Sequence, residues 1–280
     1  MKTRNCFISI CISFFAGIIV YGQDNADVLG SAKLECIYDY TVTEGEVSDH
    51  YMTILQIGAG CSLFKDYSSY QKDSVEMLSG IPEDVVEKYR LQEIRNEFFY
   101  DEVIYQNFPK GKLSLFGTIP PDYFTYTEDI NTIKWNLTDE IKNVCGYECK
   151  KAVCEYGGRI WNVWYSVEIP SSFGPWKFCG LPGLVLSASD VDEKHSFRAI
   201  IIRSAGLQTI TGPTVKAVRT TREKYIRLKM KFEDDPMGSM PPEAISNMTI
   251  RKMDGGKSAI YINGMQFRPR THKWESIELE

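Results

Sequence analysis

Glycine and proline recur so closely in residues 174–184 that the backbone must turn twice before a strand begins. The stretch reads GPWKFCGLPGL, and it places Pro182 and Gly183 at the two central positions of a type II turn. Proline fixes φ at the first of these positions, and glycine supplies the positive φ that the second one needs. Residues 184–190 then alternate apolar with small or polar side chains. The stretch therefore predicts a sharp corner that leads into a sheet.

The rest of the chain has mainly the pattern of antiparallel strands. Apolar alternation or turn residues mark strands in these segments: 33–43, 51–57, 61–67, 98–108, 112–118, 147–156, 159–168, 197–203 and 260–267. Residues 83–96 and 220–232 have helical spacing instead. A sheet of this size curls or closes. The predicted fold is mainly β, a large curved antiparallel sheet or partial barrel with about two helices.

The first 22 residues have the order of a secretory signal peptide. Lys2 and Arg4 precede an uncharged apolar stretch at residues 7–20, and Gly22 is the small residue at the cleavage site. No later stretch is long and apolar enough to span a membrane. We expect an exported protein of the periplasm, the outer membrane or the extracellular space. No linker or repeat divides residues 23–280, so they are expected to form a single domain.

Charge and motifs narrow the function classes. Removal of Lys2 and Arg4 with the signal leaves 30 basic and 37 acidic residues, a net charge of −7. That balance argues against nucleic acid and anionic membrane surfaces as partners. A phosphate-binding glycine-rich loop, Gly-x-Ser-x-Gly and His-Glu-x-x-His are all absent from the sequence. The sequence therefore predicts no cofactor and no catalysis, and it favours a glycan, a peptide or a protein as the partner.

Six cysteines follow the signal segment: Cys36, Cys61, Cys145, Cys149, Cys154 and Cys179. In an oxidising compartment they favour disulfides. The alternative is a metal site, because three of them lie within residues 145–154. Zinc sites have tighter Cys-x2-Cys spacing and a second cluster, so we predict disulfides and no metal.

Aromatic residues give the candidate ligand site. On the predicted strand 159–168, Trp161 faces the core, whereas Trp164 lies on the opposite face with Asn162 and close to Arg159. Trp176 lies in the Gly/Pro stretch. An exposed tryptophan beside polar groups suits a sugar or a peptide. We therefore predict ligand contacts at Arg159, Asn162, Trp164 and Trp176, with packing under a second layer as the alternative.

The acidic turn at residues 190–195 allows two interpretations. Asp190, Asp192, Glu193 and His195 supply oxygen and imidazole ligands that a metal ion accepts. The turn lacks the ordered spacing and glycine of a calcium loop. A solvated turn between two strands is therefore the favoured interpretation.

The central motifs resemble those of the GLPGLI family, whose name-giving motif stands here as GLPGLV at residues 180–185. The family's structural motif residues correspond to Gly174, Pro175, Trp176, Gly180, Leu181, Pro182, Gly183 and Leu184. Similar segments occur, in the family's order, at 55–58, 135, 146–152, 158–159, 164–165, 169–170 and 277–279. The resemblance therefore extends over nearly the whole mature chain. This chain departs from the family by Val185 in place of isoleucine and by Cys145, Cys154 and Cys179.

The resemblance implies an exported protein of Bacteroidota, in a family with no established activity whose members are often encoded near TonB-dependent outer-membrane transporters. A similar bowl-like β-domain precedes the catalytic part of some peptide N-glycanases. An accessory protein of the cell envelope that binds a ligand or a transporter is the function that this favours. The alternatives are a secreted hydrolase or other enzyme and a purely structural envelope protein.

Overall fold

A computed structural model describes residues 27–204, 206–252, 258–270 and 274–279. The predicted signal peptide, residues 1–22, lies outside the described residues. The strands are β1 (Val28–Ser31), β2 (Leu34–Glu44), β3 (Val47–Ile57), β4 (Ser62–Asp66), β5 (Glu102–Gln106), β6 (Lys112–Ile119), β7 (Asp122–Asp129), β8 (Asn136–Val144), β9 (Tyr147–Tyr156), β10 (Arg159–Ser166), β11 (Leu184–Asp190), β12 (His195–Arg203), β13 (Thr209–Thr211), β14 (Val218–Arg219), β15 (Met248–Lys252), β16 (Ser258–Ile262) and β17 (Met265–Phe267). The helices are α1 (Tyr67–Glu76), α2 (Glu83–Arg95), α3 (Arg222–Asp234), α4 (Pro236–Ser239) and α5 (Pro242–Ser246).

Twelve strands form one sheet in the order β14-β7-β6-β5-β4-β3-β2-β12-β11-β10-β9-β8. Its neighbours are antiparallel except for β14, which runs parallel to β7. The sheet is not closed into a barrel. Two small sheets, β1-β13 and β15-β16-β17, accompany it. The predicted β-rich class is confirmed, although the described part of the chain has five helices and not about two.

Most predicted elements coincide with observed ones. The helix expected at 83–96 is α2, the one expected at 220–232 is α3, and the hairpin around residues 157–158 is β9-β10. The strand expected at 61–67 ends at Asp66, and α1, which the sequence analysis did not predict, begins there. The reason is a helix cap, because the Asp66 carboxylate accepts hydrogen bonds from the backbone N–H groups of Ser68 (2.8 Å) and Ser69 (3.0 Å).

One face of the large sheet, here called the inner face, carries the main hydrophobic core. Alternate residues of each strand point into it, as the two-residue period of a strand requires. Tyr38 and Tyr40 come from β2, Trp161 and Val163 come from β10, and Phe197 comes from β12. The rings of Tyr40 and Phe197 stack with centroids 4.3 Å apart. The inner face is therefore filled by packed side chains.

The Gly/Pro stretch between β10 and β11 folds into the space that the inner face encloses. Trp176 and Phe178 have no exposed surface, and their ring centroids lie 5.5 and 5.0 Å from that of Trp161. The buried amide of Gln106, on β5, donates hydrogen bonds to the carbonyl oxygens of Gly174 (3.0 Å) and Trp176 (2.9 Å). Because β5 and β10 lie far apart in the sheet order, the stretch connects the two halves of the curved sheet.

Lys177 is the centre of a buried charge cluster in the same stretch. Its ammonium group donates to the Tyr126 hydroxyl (2.7 Å) and pairs with Glu128 (3.0 Å) and Glu278. Arg222 lies 2.8 Å from the other carboxylate oxygen of Glu278. The Lys177 side chain has no exposed surface. The cluster joins β7, the Gly/Pro stretch, α3 and the C-terminal segment.

Smaller layers cover parts of the opposite, outer face. Tyr70 of α1 packs on Ile37 and Ile54, the residues of β2 and β3 that point away from the main core. The β1-β13 pair covers Leu63 of β4 through Ile210. The central strands are therefore apolar on both faces, which explains why β4 is buried along its whole length.

The Gly/Pro stretch turns differently from the prediction. Gly183 does not have a positive φ, so its assignment to the glycine position of a type II turn is wrong; positive φ occurs at Gly180 (93°) and Trp176 (51°). Gly183 instead passes against the backbone of Ser166, where an added Cβ would lie 2.1 Å from the carbonyl oxygen. Close backbone approach is therefore the reason that this position requires glycine.

All six cysteines of the mature chain are free thiols in the structure, so the predicted disulfides are not formed. Cys36 and Cys154 are buried in the core on separate strands, β2 and β9. Burial raises the pKa of Cys154 and Cys179 to about 12. The oxidising compartment favoured pairing, but the sheet distributes the thiols over different elements, outside disulfide distance.

We expect Gly183→Ala to destabilise the protein by about 1–3 kcal/mol or more, because the new methyl group must displace the backbone of β10. Gly60→Ala is the matched control, since an added Cβ there meets nothing within 4 Å. Urea unfolding of both variants measures the difference. Equal free energies of unfolding for the two variants would contradict the close approach.

Lys177→Met is expected to lower the free energy of unfolding by about 3–5 kcal/mol, because it leaves two carboxylates buried without their central cation. Lys112→Met is the control, since Lys112 pairs with Asp129 at 2.6 Å on the surface. Its removal should cost at most about 1 kcal/mol. Urea midpoints of the two variants check this, and a small loss in both would show that the buried cluster contributes little.

Candidate functional site

An open groove of about 1090 Å³ lies on the outer side of the sheet. Its floor consists of outward-facing side chains of β4, β5 and β6, including Lys65, Val103 and Phe116. Helices α1 and α2 form one wall, and β16, β17 and residues 268–270 form another. Ligand pockets in proteins commonly have roughly 300–1,000 Å³. The groove is therefore large enough for a short peptide or an oligosaccharide.

Aromatic rings make up much of the lining. They are Tyr51, Phe98, Phe99, Tyr100, Tyr105, Phe116, Tyr123, Phe232 and Phe267. Phe98 is 41% exposed, and its ring packs edge-on against that of Tyr51 with centroids 6.1 Å apart. Tyr51, Tyr100, Tyr105 and Phe232 are buried, so the other five rings are the ones that offer flat apolar faces to a ligand at a small loss of side-chain entropy.

Ion pairs fix the walls of the groove to its floor. Lys65, on β4, pairs with Asp73 of α1 at 2.6 Å. Lys72 of α1 pairs with Glu93 of α2 at 3.0 Å. These pairs hold the two helices against each other and against the sheet.

A second set of ion pairs closes the end of the groove near α3. Arg270 donates to both carboxylate oxygens of Glu233, at 2.7 and 3.2 Å, and to the Tyr51 hydroxyl at 3.0 Å. Lys229 pairs with Asp101 at 2.5 Å. Burial raises the pKa of the Asp101 carboxyl, but the charges of Lys229 and Arg270 outweigh it, so the pKa is lowered. These groups form a network of alternating charge, a structural arrangement that leaves each carboxylate neutralised.

Asp66 shows how the local sequence builds one corner of the groove. Besides capping α1, its carboxylate accepts a hydrogen bond from the Tyr100 N–H at 3.1 Å. It thereby ties residues 96–100 to the start of the helix. Burial raises the pKa of Asp66, and its hydrogen bonds offset this in part. Asp66 therefore positions the aromatic residues 98–100 along the groove.

The four predicted ligand residues do not share one surface. Trp176 is in the core and has no exposed surface, and Arg159 is 5% exposed. Trp164 and Asn162 are half-buried on the outer face of β10. The Trp164 ring lies 4.8 Å from the ammonium of Lys142, in a cation–π contact. None of the four lines the groove.

Arg159 anchors the C-terminal segment. Its guanidinium donates to Asp190 (2.9 Å), to Glu275 (2.6 Å) and to the carbonyl oxygens of Ser276 (2.5 Å) and Ile277 (3.1 Å). All of these partners come from the chain itself. The structure therefore gives Arg159 a structural role.

His195 makes a second attachment of the same segment. Its imidazole bonds to the Tyr40 hydroxyl (2.9 Å) and to the Ser276 carbonyl oxygen (3.1 Å), and its backbone N–H donates to Asp190. His195 has no exposed surface, and Asp190 is 2% exposed. Residues 191–193 form the exposed turn that was expected between β11 and β12, whereas Asp190 and His195, which flank it, are buried. Over the described ranges, no group of three or more His, Cys, Asp or Glu residues is placed to hold a metal ion.

Sequence reasoning missed the groove because it depends on α1 and on residues distant in the chain. One local signal was present. Asp66 followed by Ser68 and Ser69 is typical of a helix start. No local sequence pattern indicates that α1 lies beside β17 and residues 268–270, which follow it in the chain by nearly two hundred positions.

The match to a known protein family covers a short part of the chain. A family model described as a protein of unknown function, Porph_ging, matches residues 158–187. That family is associated with Bacteroidota. The matched residues run from the end of the β9-β10 turn through the Gly/Pro stretch into β11. No curated protein matches the chain.

Two solved structures are similar in part. The structure of PNGF-II in the P21 space group is 15% identical, with a TM-score of 0.45, and the match covers 70% of this chain and 32% of that one. The structure of PNGF-II in the C2 space group has 15% identity and a TM-score of 0.44, with coverages of 79% and 34%. The chain thus spans about a third of the length of these structures. Within the described residues, no helix has the length and apolar character needed to cross a membrane.

The His195 attachment makes stability depend on pH. Burial, together with the charge of Arg159, lowers the pKa of His195 to about 3 from 6.5. The unfolded chain binds this proton below pH 6.5 and the folded protein does not, so stability falls as the pH decreases from 6.5 towards 3. The slope is up to about 1.4 kcal/mol per pH unit. We expect His195→Gln to remove this contribution.

Urea unfolding of wild type and His195→Gln at pH 7, 6, 5 and 4 measures the effect, since the carboxylates common to both proteins cancel in the difference. His50→Gln is the control, because it makes the same substitution at a histidine that is exposed in the folded protein. A constant free-energy difference between wild type and His195→Gln over this range would show that the buried imidazole does not resist protonation.

Proposed function

We propose that the protein is an exported accessory protein of the bacterial cell envelope that binds a small organic ligand in the outer groove. The ligand is a short peptide or an oligosaccharide. The observation that carries the proposal is the groove itself, which combines room for such a ligand with five partly exposed aromatic side chains in its lining. Catalysis is not part of the proposal.

The ion-pair partners of the acidic residues in the groove favour ligand binding over hydrolysis. A carboxylate that acts as a general acid or base must reach the substrate within hydrogen-bond distance. In the groove, Asp73, Glu93 and Glu233 instead lie in ion pairs with lysine or arginine. Such pairs occupy these carboxylates with partners from the protein and hold the walls of the groove in place.

The cellular setting of the proposal comes from the sequence. We infer a signal peptide at residues 1–22 and a single GLPGLI-type domain at residues 23–280. The family-model match within residues 158–187 supports this relationship. A TonB-dependent outer-membrane transporter is the proposed partner, and the location is the periplasm or the outer membrane.

Ligand-observed saturation-transfer NMR tests the groove. The probes are a mixture of tripeptides and a mixture of chitohexaose, mannohexaose and xylohexaose. We expect transfer to at least one mixture, with an affinity that falls about tenfold in the double variant Phe98→Ala/Tyr123→Ala, because two ligand-facing rings are lost.

Leu137→Ala/Ile141→Ala is the matched control, since these residues are 59% and 60% exposed on the edge strand β8 and do not line the groove. It should bind like the wild type. Absence of transfer from both mixtures, or equal losses in the two double variants, would contradict binding in the groove.

The envelope partner requires a separate measurement. The tagged mature protein is purified from its native envelope after cross-linking, and the captured proteins are identified by mass spectrometry. Recovery of a TonB-dependent transporter is expected. Failure to recover such a transporter would argue against it as the partner. It would not affect the prediction of ligand binding in the groove, which the NMR experiment tests.

A further inference from the structure

Arg268 occupies the wall of the groove where the three-stranded sheet meets the C-terminal end of α2. Its Nη2 atom donates to the backbone carbonyl oxygen of Glu93 (3.1 Å) and to Oε1 of Gln266 (2.8 Å). Gln266 in turn donates to the carbonyl oxygen of Ile94 at 2.8 Å. The guanidinium lies 4.0 Å from the centroid of the Phe99 ring. Hydrogen bonds thus fix the Nη2 atom and the Phe99 ring covers one face of the guanidinium group, which is therefore held in a defined plane.

Capping of the helix explains only part of this arrangement. Cations at a helix C-terminus satisfy its free carbonyl groups, and Nη2 does so here. The Nε atom of Arg268, however, is buried and has no hydrogen-bond partner among the described residues. A buried donor without an acceptor is costly, and native structures contain few of them.

Arg268 also has no ion-pair partner among the described residues. Lys65, Lys72 and Arg270, which line the same groove, each lie within 3.0 Å of a carboxylate oxygen. No carboxylate of the described residues forms such a pair with Arg268. Burial lowers the pKa of Arg268, and Glu93, Asp66 and Asp101 offset this only in part. A partly buried cation that lacks a counter-ion is the expected state of a site whose anion comes from a ligand.

The charges of the other residues that line the groove limit which anions it can bind. Eight carboxylates and five cationic side chains line the groove, so the net charge of its described lining is −3. A polyanion would be repelled by this surface. Because Nη2 already donates to two protein acceptors, a single carboxylate pairs with the remaining N–H groups of Arg268, and the remainder of such a ligand must then be neutral or cationic.

We propose that Arg268 is the binding residue for one carboxylate group of the groove's ligand. The inference rests on the proposed function, because it assigns one contact within the proposed binding groove. Two sources supply this chemistry: the C-terminal carboxylate of a peptide and the carboxylate of an acidic sugar. The surplus of negative charge elsewhere in the groove favours the peptide, whose amino terminus is cationic.

Two matched pairs of probes test the assignment on the wild-type protein. One pair is a tripeptide mixture with free C-termini and the same mixture as C-terminal amides. The other pair is a neutral xylo-oligosaccharide that carries a single glucuronic acid group and the methyl ester of the same compound. Isothermal titration or ligand-observed NMR is expected to show about tenfold or more tighter binding of the acid form within one pair, and the pair that shows it identifies the source.

Arg268→Gln should reduce the affinity for that acid form by roughly tenfold to a hundredfold and abolish the preference over the amide or ester. Arg268→Lys keeps the charge but has fewer N–H donors and lacks the planar group that packs on Phe99, so we expect an intermediate loss. Thermal unfolding of both variants verifies the fold, and the acid-versus-amide comparison on wild type needs no variant at all.

Equal binding of the acid and neutral forms would overturn the role of Arg268 while leaving ligand binding in the groove intact. Binding of none of the four probes, together with no transfer from the neutral oligosaccharides, would overturn the Arg268 assignment and the proposed function together. An acid preference that persists unchanged in folded Arg268→Gln would also overturn the assignment.

Discussion

The ammonium group of Lys177 lies in the interior of the protein with two carboxylates and a tyrosine hydroxyl around it. Burial alone lowers the pKa of such a lysine, but Glu278, the neighbouring tyrosines and Glu128 outweigh it and keep the group charged. A charge in this position is tolerated only if every partner is held in place. The partners come from β7 and the C-terminal segment, so satisfying one cation fixes the closure of the curved sheet around the Gly/Pro stretch.

This closure has a consequence for function. Because Trp176, Phe178 and the other core side chains fill the inner face, the sheet has no room for a ligand there. The central strands are apolar on the outer face as well, and α1, α2 and the small sheets cover it incompletely. The groove is the space left between these partial layers. The fold thus places the proposed binding groove mainly on the outer side of the sheet.

Polar residues in the protein serve two different purposes. Arg159, His195 and Asp190 are satisfied entirely by the chain, and they fasten the C-terminal segment that brings Glu278 to Lys177. Arg268 is only partly satisfied and lies at a wall of the groove. Complete satisfaction is typical of groups that stabilise a fold, whereas a buried donor without a partner in a groove points to a ligand.

Local patterns of the sequence determined the strand content, helices α2 and α3, and the hairpin β9-β10, because hydrophobic period and turn residues act over a few positions. The importance of the Gly/Pro stretch was also visible, although Gly183 proved to be required by the passage of Ser166 and not by a positive φ. The tertiary structure alone decided that Trp176 and Arg159 are internal, that the cysteines remain apart, and that the groove forms. Those outcomes depend on which residues meet across one to two hundred positions, and no local pattern records such contacts.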